Sequence, residues 1–294
     1  MRWNRVAALA GILALFDAGW LPAQNDYRWR IEQWRVRHEA ELKAEDGWLA
    51  VAGLFWLKDG ANAAGSDPAN AVTLPRGPAR AGVFDFRNGA TTFHAASGVT
   101  ALMNGRTAGS IVQLRSDING SADQLQIAGL SMSVIERGSR YGIRLKDPAS
   151  QPRRQFTGLH WFPVNEKYRV TGRFIAYQQP RMIPITNVLG DTEPEASPGY
   201  VELTLEGQRL HLEPVTEEQQ LFFIFRDLTA GHETYPAGRF LYASWPKNGA
   251  VVLDFNQAEN PPCAFTAYAT CPLPPKQNHL AVRIEAGELN YGEH

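Results

Sequence analysis

From Trp48 onward the chain is cut into short β-type runs by clusters of turn residues, and this punctuation limits its fold more than any other feature. "LAVAGLFWL", "AVTLP", "GVFDF", "ATTFHA", "VTALMNG", "IVQL", "MSVIERG" and "YGIRLK" alternate with Gly, Asn, Asp and Pro. Such spacing predicts a sandwich or barrel. "DPASQPRRQ", Asp147 to Gln155, breaks the pattern and marks a domain boundary. A second set of strands comes after it: "YRVTGRFIAY", "YVELTLEG", "QRLHLEP", "LFFIFRD", "RFLYASWP", "AVVLDF" and "LAVRIEAGE". No 20–50-residue repeat points to a solenoid. Ahead of the β region, "YRWRIEQWRVRHEAELKAEDG" sets Ile31, Trp34, His38 and Leu42 at steps of three or four. This predicts an amphipathic helix over 24–46 that stops at Gly47 and packs on the β region. The expected fold is mostly β: the helix, a β-sandwich over 47–147, and a C-terminal antiparallel β domain over 156–292.

The first residues read as a secretory signal peptide over 1–23. Arg2 and Arg5 precede an apolar stretch from Val6 to Phe16, too short to span roughly 30 Å of hydrocarbon. Ala23 offers a small residue for cleavage. The reading implies a periplasmic or secreted protein with no integral membrane segment after processing. The alternatives are an uncleaved anchor or a frayed amphipathic start. Hydrophobic residues at 44% and charged residues at 20% describe a globular chain. A net charge of −1 carries no footprint for nucleic acid.

The last strands locate an unusual loop, "NPPCAFTAYATCPLPPKQN", Asn260 to Asn278. "LFFIFRD" leads into "LTAGHETYPAG", and "RFLYASW" returns antiparallel to it. Asn248-Gly249 is a tight-hairpin signal, because both positions tolerate positive φ. "AVVLDFN" is then expected beside its predecessor, so that the Leu228–Gly238 connection and the loop after Asn256 emerge at one end of the sheet. A loop of some twenty residues without secondary structure is uncommon in a compact domain and often functional. Prolines stiffen it, which suits a preorganised pocket wall and a structural cover alike.

Familiar catalytic signatures are absent: no G-x-S-x-G, P-loop, G-x-G-x-x-G, H-E-x-x-H or C-x-x-C. No metal-ligand spacing unites the seven histidines, and no cofactor is expected. Cys263 and Cys271 fit a disulfide in an exported chain, worth roughly 2.5 kcal/mol by loop entropy. Three other readings stay open: a metal site with His232 or His279, a nucleophilic thiol, or buried inert thiols. The candidate site-lining residues are Asp227, Tyr235, Arg239, Asp254, Asn256, Asn260, Tyr268 and Asn278. The three Asn suit loop staples or amides facing a polar ligand. Asp227 suits a turn cap, and Asp254 an ion pair. The two carboxyls together suit acid–base work if their environments separate them. Arg239 offers five fixed donors to a carboxylate or phosphate, or an internal partner for Asp227 or Asp254. Tyr235 and Tyr268 suit packing with a hydroxyl partner.

"DLTAGHETYPAGRFL" and "LDFNQAENPPCAFTAYATCPLPPKQN", with "GWLAVAGLFWLKDGANAAGSDP" and "HWFPVNEKYRV", resemble the bacterial domain-of-unknown-function family 1684 over most of the mature chain. The resemblance implies no established activity. "LKDGANAAGSDPANAVTLP", followed by Asn104-Gly105, looks like a forkhead-associated β-sandwich. Ser66 after Gly65 and "RGPARAG" depart from that family's phosphothreonine motifs, so the resemblance implies the fold and not the ligand.

The functional expectation is an exported protein binding a small polar ligand or peptide at one end of the C-terminal β domain. A hydrolase-like enzyme at the same site, using Asp227, Asp254 or a cysteine, is the alternative. A third is an envelope protein-interaction module whose sandwich takes a protein partner.

Overall fold

The computed structural model describes residues 21–217 and 219–292. The signal-peptide reading lies outside them, save for its last three residues, which open the first helix. That helix, α1 (Leu21–Leu42), buries Tyr27, Ile31, Arg35 and Leu42, with Trp34 and His38 half-buried on the same stripe. It stops five residues before Gly47, and turns fill the interval. No helix among the described residues is long and apolar enough to cross a membrane.

The N-terminal sandwich uses eleven strands: β1 (Val51–Trp56), β2 (Gly60–Gly65), β3 (Val72–Thr73), β4 (Gly82–Arg87), β5 (Ala90–Ala95), β6 (Leu102–Met103), β7 (Arg106–Thr107), β8 (Ile111–Leu114), β9 (Leu125–Ile127), β10 (Leu130–Arg137) and β11 (Arg140–Lys146). They form a six-stranded sheet, β1-β11-β10-β9-β6-β7, and a five-stranded sheet, β3-β2-β4-β5-β8. Phe84 and Phe93 from one sheet and Met132, Ile143 and Leu145 from the other fill a common core. Strand β2, "GANAAG", has no β-branched or aromatic residue to announce it. Buried Asn62 pins it instead, giving its amide to the Lys58, Gly60 and Phe84 carbonyls and accepting from the Lys58 N–H.

A short helix, α2 (Gln151–Gln155), occupies the unpatterned segment after the sandwich. Then come β12 (Arg169–Thr186), β13 (Thr192–Leu205), β14 (Gln208–Leu212), β15 (Val215–Glu217), β16 (Gln220–Phe225), β17 (Arg239–Ser244) and β18 (Ala250–Asp254). One sheet runs β14-β13-β12-β18 and the other β15-β16-β17. Their shared core includes Val201, Leu203, Phe223, Phe225, Leu241, Leu253 and Phe255. Strands β12 and β13 continue past this core as a long two-stranded arm, kinked by a register shift between Ala176 and Arg181. Prolines at 180, 184, 194 and 198 hid the arm from sequence. They are tolerated because each strand of the arm has a free edge. Asp191 and Glu193, near the tip, reach back to Arg140 and the Gly138 N–H of the sandwich.

Two topological expectations are corrected. The Asn248-Gly249 turn forms, with φ of 52° and 75°, yet β18 does not pair along β17. Beyond one Lys247–Ala250 bridge it crosses the core and pairs with β12 from Arg169 to Arg173. The turn sits where the chain switches sheets, so β17 and β18 face each other across the core. Nor is "LAVRIEAGE" a strand. Leu280, Val282, Ile284 and Ala286 are buried in the core, but side chains replace much of the ladder.

Candidate functional site

Asp227 and Arg239 come together as an internal staple. Arg239 is 1% exposed and donates to Asp227 at 3.2 Å, to the Ile284 carbonyl at 3.0 Å and to the Ala286 carbonyl. Asp227 accepts the Ile284 N–H at 2.7 Å and the Thr229 hydroxyl. These two side chains do for residues 284–286 what a neighbouring strand would do. Gly238 lets the chain pass this point: a Cβ there would lie 2.5 Å from the Phe225 carbonyl oxygen and 2.6 Å from Pro274, at φ 111°. Asp254 does not join them. Having crossed with β18, it accepts from Tyr27 at 2.9 Å and from the Asn256 amide, and lies 3.8 Å from Arg169. Of the expected gathering of Asp227, Arg239 and Asp254, only the first two therefore meet.

The three asparagines are spent on backbone and internal partners. Asn256, fully buried, donates to Tyr27 and the Asn165 carbonyl and accepts the Asn165 N–H. Asn260 gives its amide to Glu288 and the Leu289 carbonyl. Asn278 ties the loop end to the Glu213 N–H and carbonyl and the Ile224 carbonyl. Tyr235 donates to the Cys263 carbonyl at 3.2 Å, and Tyr268 is exposed. The two connections do meet through that Tyr235 hydrogen bond, and the loop after Asn256 also exchanges backbone hydrogen bonds with β17 between Glu259 and Phe240.

Cys263 and Cys271 are free thiols in contact. The Cys263 N–H donates to Cys271 Sγ at 3.1 Å. A hydrogen bond from the Cys271 thiol holds Cys263 below the ordinary thiol range, while the same bond and burial push Cys271 up. Among the described residues no cluster of histidine, cysteine and carboxylate side chains could hold a metal ion.

The cleft lies on the other side of the proline–cysteine loop. Its volume is about 1090 Å³, and five elements wall it: the end of α1, the outer face of the six-stranded sheet, the β12–β13 arm, the β15-β16-β17 sheet, and the loop itself. Phe222, Phe240 and Tyr242 line it from the sheet, Trp48 from the start of the sandwich, and Asn260, Pro262, Phe265 and Cys271 from the loop. Of the sequence candidates, Asn260 and Cys271 line the cleft; Asp227, Tyr235, Arg239, Asp254, Asn256, Cys263, Tyr268 and Asn278 do not.

Two charged groups at this cleft escaped the sequence reading. At one, His38 of α1 sits between Glu259 (3.3 Å) and Glu288 (3.5 Å), stacked on Trp34 at 5.2 Å. Burial alone would lower the imidazole, but the two carboxylates hold it above its usual value. Burial lifts Glu259 to about 7, opposed by His38 and reinforced by Glu288 and Glu41. At the other, Arg144 of β11 is 9% exposed and lies over the Trp48 ring at 5.0 Å, with Nε and Nη2 buried and unpartnered. Burial, then Arg137, lowers it to about 10, so it stays charged at neutral pH. The only sequence hint was chemical: a histidine on the buried stripe of α1, and an arginine alternating with core residues on β11.

Residues 154–289 match the model of a family described as "Protein of unknown function (DUF1684)", and through this part the chain belongs to that family. An uncharacterised protein of Haloarcula marismortui, solved by solution NMR, is 30% identical over 48% of this chain and 81% of its own, with a TM-score of 0.41. No curated protein matches the chain. The family match does not extend to the N-terminal sandwich and does not confirm the forkhead-associated-like resemblance there.

Proposed function

We propose that this is an exported protein that binds a small polar ligand or peptide in the cleft beside the proline–cysteine loop. One observation carries the reading: a concavity of about 1090 Å³ that sets aromatic walls beside ionisable groups, Arg144, His38 and Glu259 among them, a concave site with apolar surface to bury a ligand and polar groups to orient it. The stapled loop supports it, because a wall fixed by Asn260 and Asn278 needs little ordering when a ligand arrives. The export half rests on the short apolar segment behind Arg2 and Arg5. Native mass spectrometry of protein purified from its source tests the binding half. The wild type should carry a small molecule that Thr216→Trp, which fills the cleft from an exposed rim position, does not. A bare wild type that also fails to shift in melting temperature with any of a broad metabolite panel would end the reading.

A hydrolase-like reading is favoured by one feature, the Glu259 carboxyl near 7 beside His38, a value suited to general acid–base work. In that case Glu259→Gln abolishes turnover of a bound substrate while leaving its binding in place.

A further inference from the structure

We propose that the ligand of this cleft is a zwitterion of the amino-acid or short-peptide class, its carboxylate held by Arg144 and its ammonium end by the acidic part of the lining; the inference rests on the cleft being the binding site. A buried guanidinium with two N–H-bearing nitrogens unpartnered is costly unless something completes it. Its fork matches a carboxylate in geometry and charge, and the Trp48 ring lies against it. The neighbours do not neutralise it. Asp117 is already paired with Arg137 at 3.0 Å, and Arg137 also donates to Thr270 at 2.9 Å. Glu136, the other carboxylate in this corner, accepts from the Ser116 hydroxyl at 2.9 Å, so neither acid is hydrogen-bonded to Arg144.

The rest of the lining is acidic. The cleft presents nine carboxylates against Arg137, Arg144 and His38. Several are engaged, such as Asp191 with Arg140, Glu193 with the Gly138 N–H, and Glu259 with His38. The Glu195 side chain on the arm has no hydrogen bond or ion pair among the described residues, and burial followed by Glu193 raises its carboxyl. A cation placed there would relieve that repulsion. A dianion such as a phosphate or dicarboxylate would gain at Arg144 and lose against this lining. A free amino group joined to a free carboxylate gains at both, and the aromatic wall can take an apolar side chain.

Isothermal titration of the full chain with glycyl-leucine, glycyl-phenylalanine, leucine and phenylalanine tests this. C-terminal amides, N-acetyl derivatives, glutarate, glucose and spermidine serve as comparisons. At least one free-ended probe should bind, with its amide and its N-acetyl form each about tenfold weaker or worse. Arg144→Met should lose the free-ended probe while melting no lower than wild type, since it removes an unpaired buried charge. Should it fail to fold, Arg144→Lys and the amide comparison on wild type still decide. An amide that binds as well as its acid overturns the proposal, as does binding of none of the zwitterions. Where glucose, spermidine or a copurified molecule occupies the cleft instead, cleft binding stands and only the ligand class falls. If the cleft takes nothing at all, both fall.

Discussion

Arg239 and His38 are both basic groups held by carboxylates inside the protein, and the two differ in what pH can do to them. Arg239 stays charged across the accessible range, so its test is truncation. Arg239→Ala leaves Asp227 buried opposite a void and strips donors from the Ile284 and Ala286 carbonyls. The expected loss is about 3–5 kcal/mol in urea unfolding, the range for breaking a buried pair. A loss under about 1 kcal/mol would show that residues 280–288 need no such staple. His38 and Glu259 titrate, and both are shifted upward in the folded chain. The folded state therefore holds more protons than the unfolded one between the ordinary glutamate value of 4.5 and about 7. Stability then falls as pH rises through this window, because its slope tracks unfolded minus folded proton count. The histidine acts with the same sign: its contribution is complete below its unfolded value and is lost as pH passes its raised folded one. Glu259→Gln should flatten the decline by on the order of 3 kcal/mol across the window. Unfolding curves for wild type and variant at pH 5 and pH 8 measure the difference; parallel curves would contradict it.

At the scale of elements, the proline–cysteine loop is fixed at both ends by asparagine and carries two thiols in contact between them. We expect oxidation by diamide or dissolved oxygen to close Cys263 and Cys271 into a disulfide, removing both alkylatable thiols and two hydrogen masses. The bond should add roughly 2.5 kcal/mol of stability or less, since it clamps a loop already stapled. Two thiols still alkylatable after oxidation would refute this. The elements also show what a sequence reveals. Strands whose alternation faces one core, such as β4, β5, β10 and β11, were legible because period two and turn residues coincide. The β12–β13 arm was not, because prolines at a free edge look like a loop. Residues 280–288 misled in the opposite sense: their apolar alternation is real and buried, but their hydrogen-bond partners include the side chains of Asp227 and Arg239. The same holds for the site. The loop was visible as a wall through its prolines and asparagines. Arg144 and Glu195 were not, since nothing local distinguishes a sheet face covered by a distant segment from one facing water.

The whole molecule is closed by α1, and the cleft depends on that closure. The helix reaches from Tyr27, which donates to Asp254 and accepts from Asn256, to Leu42, packed with Phe156, Leu159 and Phe265. Between them Ile31 is 2% exposed, Arg35 donates to the Phe162 carbonyl at 2.9 Å, and His38 lies between Glu259 and Glu288. Removing the helix would uncover an apolar strip and leave two close carboxylates without their histidine. Glu288 is fully buried and is also the acceptor that fixes Asn260, so the damage would reach the loop wall. The core of the sandwich draws on residues 55 to 145 and has no part in this strip. A chain beginning at Gly47 should consequently unfold in two steps, the C-terminal part first and the sandwich near its original midpoint. Buried leucine or isoleucine side chains cost about 2–5 kcal/mol each when truncated, so losing Ile31 and Leu42 together should shift the first step clearly. A synthetic peptide of residues 24–46 added in trans should move that step back toward the wild-type midpoint. The same peptide with Ile31→Ala and His38→Ala should not. Urea unfolding monitored by tryptophan fluorescence, with and without each peptide, measures the effect; a single transition at the wild-type midpoint in the shortened chain would mean that α1 only decorates the fold.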